Sequence, residues 1–156
     1  MGQDPAAAPD PSWTVRVQAA ESGTAAVRAG TCSFVVEGQA SFGEGGDHPC
    51  AVEYLLGALG GDLVCGFRSQ AADKGIALEA LELSLVGRLN NALAHVGVIG
   101  EDGHAGLEAV TGTLYVSVET GEAGLSEIWR ATLRRSPLVQ TLQRCVKLSL
   151  EMKLTL

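Results

Sequence analysis

His48-Pro49-Cys50-Ala51-Val52-Glu53-Tyr54-Leu55-Leu56-Gly57-Ala58-Leu59-Gly60-Gly61-Asp62 is the stretch on which the fold turns. Val52, Leu55, Leu56, Leu59, Leu63 and Phe67 recur at helical spacing. The spacing predicts a long helix over roughly Cys50 to Lys74, with Asp47 or His48 as N-cap and Pro49 near the first helical position. Lys74-Gly75 reads as a glycine stop after a basic last turn. A helix of about 25 residues would run about 37 Å at 1.5 Å per residue. Gly57, Gly60, Gly61 and Gly66 each weaken it by about 1 kcal/mol against alanine. Only tertiary packing can sustain such a helix, so it is expected at the centre of the fold, with another element pressed close.

Outward from the helix, both flanks read as strands. Residues 13–19 alternate polar and apolar, and 25–28 and 31–37 follow as short strands, which suggests a meander. Glu21-Ser22-Gly23 reads as a turn, and the glycine-rich segment 38–48 as a surface loop. After the helix, strands are expected over 80–89 and 110–118, with a glycine-rich loop between them. Residues 124–135 form an amphipathic helix pattern through Leu125, Ile128, Trp129 and Leu133. Ser136-Pro137 opens a second short helix, and strict alternation over 146–154 marks a last strand. The fold class is α+β. Residues 1–12 read as a flexible N-terminal lead and 13–156 as a single domain.

Composition excludes several functions. The chain has 156 residues, 46% of them apolar and 19% charged, as a globular chain does. The net charge of −7 and the lack of any basic block argue against nucleic acid as a partner. Asp62 interrupts the apolar part of the long helix and Arg68 ends it, so no membrane partner is expected. With no export signal and four scattered cysteines, a cytoplasmic chain with free thiols is expected. Cys32, Cys50, Cys65 and Cys145 form no CxxC pair, and His48, His95 and His104, all expected in loops, fit no zinc spacing. No metal or cofactor is expected.

Asp62 is the first candidate for chemistry, because a carboxylate in an apolar helix must be paired, protonated or wet. It reads as an acid/base or ligand-gripping group, or as a structural carboxylate paired with an arginine such as Arg28. Cys65, one turn further on, reads as an inert buried thiol. Cys50, at the helix start, is the better reactive candidate on local physics. Ser136 reads as an N-cap hydroxyl; no GxSxG elbow surrounds it.

Residues 48–62 resemble the helix signature of the OsmC/Ohr family, the osmotically inducible protein C and organic hydroperoxide resistance proteins. That pattern is roughly Pro-x-x-x-Glu-Tyr-Leu-Leu-x-Ala-Leu-x-x-Cys. Ser136-Pro137-Leu138-Val139 resembles the family's second motif, often Cys-Pro-Val or Ser-Pro-Val. The order of elements agrees over roughly Val15 to Leu156. The resemblance implies an intertwined α+β homodimer, antiparallel sheets wrapped round long central helices. It also implies a thiol peroxidase active in oxidative-stress defence. In that chemistry one cysteine attacks an organic hydroperoxide and a second resolves it as a disulfide, while an arginine and a glutamate orient the thiolate. Here the reactive position falls on Asp62 and the resolving position on Ser136. Glu53 matches the motif glutamate, at an offset from the reactive position one residue shorter than in the peroxidase branches. Arg28 is the arginine candidate. Three readings follow. One is a family member without the usual mechanism that holds a small organic ligand in a dimer-interface pocket. The second is a peroxidase with relocated thiols, Cys65 or Cys50 with Cys145. The third is a hydrolase built on Asp62, Ser136 and a histidine.

Overall fold

The computed structural model describes residues 11–20, 23–38, 46–119 and 124–155. The expected turn at 21–22 and most of the loop at 38–48 lie outside the described residues, as does nearly all of the N-terminal lead. The chain divides into two compact units, 1–51 and 52–156.

The first unit is the expected meander. Strands β1 (Val15–Ala19), β2 (Thr24–Ala29) and β3 (Cys32–Glu37) pair antiparallel in that order. Gly30, at φ +60°, supplies the left-handed residue of the two-residue turn between β2 and β3. Beyond β3 the chain returns, and Cys50 forms a parallel bridge with Glu37. The Glu37 N–H donates to the Pro49 carbonyl at 3.0 Å. These contacts correct the expected helix start. Pro49 and Cys50 are used as extended backbone against β3, so helix α1 begins only at Ala51 and runs to Asp73.

At its other end α1 stops as expected. Gly75 adopts φ +70°, its N–H donates to Ala72 O at 2.9 Å, and the Ile76 N–H donates to Ala71 O at 2.9 Å. This is the paired closure of a Schellman motif, with glycine at the left-handed position. Lys74 lies just past the last helical residue, so the last turn holds no basic side chain.

In the second unit the apolar row of α1 is fully buried. Leu59, Leu63, Phe67 and Ala71, four apart, each have 0% exposure. They pack with Val110, Leu114 and Val116 of the sheet, with Leu125, Ile128 and Trp129, and with Val139. The Phe67 and Trp129 rings lie 6.4 Å apart, tilted by 60°, within the range of favourable aromatic pairs. The sheet holds β4 (Leu78–Leu89), β5 (Leu107–Val118) and β6 (Lys147–Leu154). The β4–β5 pair is antiparallel, but β5–β6 is parallel, which departs from the all-antiparallel expectation. The cause is the connection: helices α3 (Leu125–Arg135) and α4 (Pro137–Leu142) carry the chain back across the sheet, as parallel strands require.

The stretch between β4 and β5 also holds helix α2 (Ala92–His95), which places His95 on a helix and not in a loop. Asn91 caps it, its Oδ1 accepting from the N–H groups of Leu93 and Ala94 at 2.8 and 3.1 Å. The glycines of α1 divide into two groups. A Cβ on Gly60 or Gly66 would meet Leu85 or Thr132 at 3.3 Å, so these two permit close approach of the sheet and α3. Gly57 and Gly61 face open space.

Candidate functional site

Asp62 and Ser136, separated by 74 positions, meet. The Ser136 hydroxyl donates to Asp62 Oδ2 at 2.5 Å. This is the short range expected of a hydroxyl on an ionised carboxylate. Each residue is brought there by its own helix. Asp62 lies one position before the buried row of α1, on the flank turned to α3 and α4. Ser136 caps α4: its Oγ accepts from the Val139 N–H at 3.0 Å, and Pro137 follows at the first helical position. The serine is 4% exposed and Asp62 is half-buried. One hydroxyl thus both starts a helix and ties it to α1.

A second tie lies two turns further along α1. Gln70 Nε2 donates to Thr132 Oγ1 at 2.7 Å, and the Thr132 hydroxyl donates to the Ile128 carbonyl at 2.9 Å. Thr132 is 2% exposed. Between the two ties α3 comes close to α1 at Gly66. The cleft so formed holds about 210 Å³ and is lined by Asp62, Ser69, Gln70, Asp73 and Arg135, with Thr132 and Ser136 in its wall. It is a polar cleft. Among the described residues no thiol and no histidine lines it, so the hydrolase reading built on a histidine finds no support there. The serine proton is also engaged with a carboxylate. Among the described residues, no His, Cys, Asp and Glu group has the arrangement of a metal site.

The other candidates do not gather there. Asp62 has its partner in Ser136, and no arginine forms an ion pair with it among the described residues. Arg28 is an exposed residue of β2, opposite Arg16 and Ser33. Glu53 is exposed in the first turn of α1. The expected burial of Cys65 is not found. Cys65 is exposed, and Cys50, bridged to β3, is buried. Cys145 is exposed in the turn after α4, its thiol donating to Leu142 O at 3.5 Å. None of the four cysteines is in a disulfide. Sequence reasoning passed over Ser69, Gln70, Asp73, Thr132 and Arg135. The signal was present: Gly66, Ser69, Gln70 and Asp73 continue the face of Asp62 at helical offsets, and Thr132 stands one turn before Ser136.

Comparison with known proteins follows the same lines. The sequence profile of the family described as OsmC-like protein matches residues 43–151, more than half of the chain. A comparison with curated protein sequences gives no match. Among solved structures, the chain is similar to an OsmC-like protein from Mycoplasma pneumoniae, with a TM-score of 0.76 and 16% identity over 94% of this chain and 99% of that one. It is also similar to the organic hydroperoxide resistance protein OhrB of Bacillus subtilis, at 0.60 and 14% over 91% and 98%. An organic hydroperoxide resistance protein OsmC from Legionella pneumophila gives 0.61 and 10% over 91% and 96%. At these identities the structural likeness establishes the fold.

Proposed function

This chain belongs to the OsmC/Ohr family, and from that premise we propose that it is a member without the family's cysteine peroxidase mechanism, Asp62 and Ser136 standing at the two cysteine positions. The hydrogen bond from Ser136 to Asp62 carries the reading. In the peroxidase branches the corresponding elements are joined by a disulfide that forms and breaks with each turnover. Here a hydroxyl and a carboxylate join them. Neither group can be oxidised to a sulfenic acid or exchanged as a disulfide, so the link between α1 and α4 is independent of redox state. The cleft beside it is where a small organic ligand is proposed to bind. Glu53 and Arg28, which orient a thiolate in the family's scheme, have no thiolate at position 62 to orient.

We further propose that the protein is a cytoplasmic homodimer. Support comes from exposed small residues on α1, Ala58, Gly61 and Cys65, and from exposed Val15 and Val17 on β1. No helix among the described residues is long and apolar enough to cross a membrane. Sedimentation that returns a monomer at micromolar concentration would contradict the dimer. The mechanistic reading is tested by mixing purified protein with an organic hydroperoxide and a dithiol. Consumption no faster than in a protein-free control is expected; robust dithiol-dependent turnover would sink the reading. In that event the exposed thiol of Cys65, one turn from Asp62, favours the relocated-thiol peroxidase. Loss of turnover in Cys65→Ser or Cys50→Ser would then identify the attacking group, and loss in Cys145→Ser its partner.

A further inference from the structure

Alternation gives the second sheet two unlike faces. Leu83 and Leu85 of β4, Val110 and Leu114 of β5, and Leu148 and Leu150 of β6 pack into the core with α1, so the residues between them face the other way. The strand registers set those outward residues in rows: Arg88, Ala109 and Lys147, then Val86, Thr111 and Ser149, then Ser84, Thr113 and Glu151. In the first row the smallest side chain stands between two of the longest, and Ala109 is only 9% exposed although it faces outward. Two adjoining clefts of about 290 and 300 Å³ run along β5 and share Val86, Thr111 and Ser149, with Tyr115 at the far end. Each is at the lower end of the range of small-molecule sites, which begins at about 300 Å³. Arg88 and Lys147 are the charged groups of the first cleft, and among the described residues no carboxylate lines it. Lys147 takes part in no ion pair among the described residues. Arg88 Nη2 stands 3.3 Å from Glu108, and a guanidinium has further N–H groups to offer. At the other end Glu151 is already matched, by Lys153 at 2.8 Å and the Thr113 hydroxyl at 3.0 Å. The hydroxyls of Thr111 and Ser149 have no hydrogen-bond partner among the described residues.

From this arrangement we infer that the outward trough of the β4–β5–β6 sheet binds a phosphorylated polyol, in chemical class a sugar phosphate. The phosphate sits over Ala109 between Arg88 and Lys147, and the hydroxylated body lies along β5 over Thr111 and Ser149 toward Tyr115. Neighbouring strands are about 4.8 Å apart, so β4 and β6 are separated by about 9.6 Å, a gap that an arginine and a lysine can close onto one group. A phosphate monoester carries close to two negative charges at neutral pH, which two cations match; a carboxylate would leave one unmatched. Ala109 to Thr113 spans about 13 Å at about 3.3 Å per residue, room for a hexose phosphate. The hydroxyls in the second row suit a polyol better than an aliphatic body. The inference is independent of the reading of Asp62, whose cleft shares no residue with this trough.

Glucose 6-phosphate is the probe, with inorganic phosphate, glucose and glucosamine as comparisons. A titration at low ionic strength, followed by amide and methyl resonances, is expected to give saturable shifts at Val86, Ala109, Thr111 and Ser149. Inorganic phosphate is expected to bind more weakly, and glucose and glucosamine not at all. Arg88 and Lys147 are exposed, so Arg88→Gln/Lys147→Gln leaves the core untouched, and it is expected to weaken binding about tenfold. Ala109→Val keeps every charge and suits a strand, but it fills the floor of the trough and is expected to weaken binding by a similar factor. Its Tm separates a filled trough from a lost fold; should it unfold, the double variant decides alone. Any of five results overturns the proposal: shifts that do not saturate, shifts centred elsewhere, glucosamine or inorganic phosphate binding as tightly as the probe, unchanged affinity in the double variant, or unchanged affinity in a folded Ala109→Val, which would reduce the site to surface charge.

Discussion

Replacing Ser136 with alanine removes two hydrogen bonds, and the two can be weighed separately. The bond from the Val139 N–H is a helix cap, worth about 1 kcal/mol. The bond to Asp62 is charge-assisted, a class worth about 1.5–3 kcal/mol. Asp62 is half-buried, so water can replace part of what the serine gave, and the lower end of that range applies. Ser136→Ala is therefore expected to lower unfolding stability by about 2–3 kcal/mol in urea titrations, with m unchanged. At about 2–4 °C per kcal/mol for a chain of this size, Tm should fall by about 4–12 °C. Ser136→Asp separates the roles. An aspartate can still cap α4, but it cannot donate to Asp62 and would repel it. Combining it with Asp62→Asn restores a donor facing an acceptor with the direction reversed. The double variant should be more stable than Ser136→Asp alone by about 1 kcal/mol or more. If Ser136→Ala stays within about 0.5 kcal/mol of the parent, or the double variant shows no rescue, the tie between α1 and α4 is not a stabilising contact and the reasoning fails.

Three other outcomes follow. Gly75→Ala forces a side chain into the left-handed region at φ +70° and should cost about 1–2 kcal/mol, measured by thermal denaturation. In β5, Gly112→Ala sets a Cβ against Leu85, Leu150 and the Ser84 carbonyl, and should destabilise by about 1–3 kcal/mol; an unchanged Tm would show that the sheet gives way freely. Finally, the Lys74 ammonium 3.1 Å from Glu127 holds the Glu127 carboxyl below its usual range, first by hydrogen bonding and then by charge. A carboxyl depressed in the folded state contributes stability above its unfolded value and loses it as pH falls through the folded one. The pair is exposed, so an NMR titration of Glu127 should show the depression shrinking in high salt and largely lost in Lys74→Ala, where Arg130 alone still lowers it.

The helix and strand order was legible because each element carries a clean period: the four-residue row from Leu59 to Ala71, and the alternation from Leu148 to Leu154. The glycine stop at Gly75 and the cap at Ser136 were legible because each is a local device. What failed was non-local. Pro49 fits a helix start by itself, and only its pairing with Glu37 makes it extended. The parallel setting of β6 depends on where α3 and α4 return the chain, and alternation along one strand says nothing of its neighbour's direction. Cys65 is exposed where burial was expected, because burial depends on which neighbours arrive. The site was half legible: the family motifs singled out Asp62 and Ser136, but that one hydroxyl would join them required the fold.

The parallel return of β6 has a kinetic consequence. β4 and β5 are joined through residues 90–106, whereas β6 reaches β5 only across residues 119–146, which include α3 and α4, a somewhat longer loop to close. Ser136 stands at the joint of that crossing. Breaking its bond to Asp62 is expected to accelerate unfolding while leaving the refolding rate nearly unchanged, as for a contact that closes late. A contact that does little to guide the chain to its fold would then set how long the fold persists.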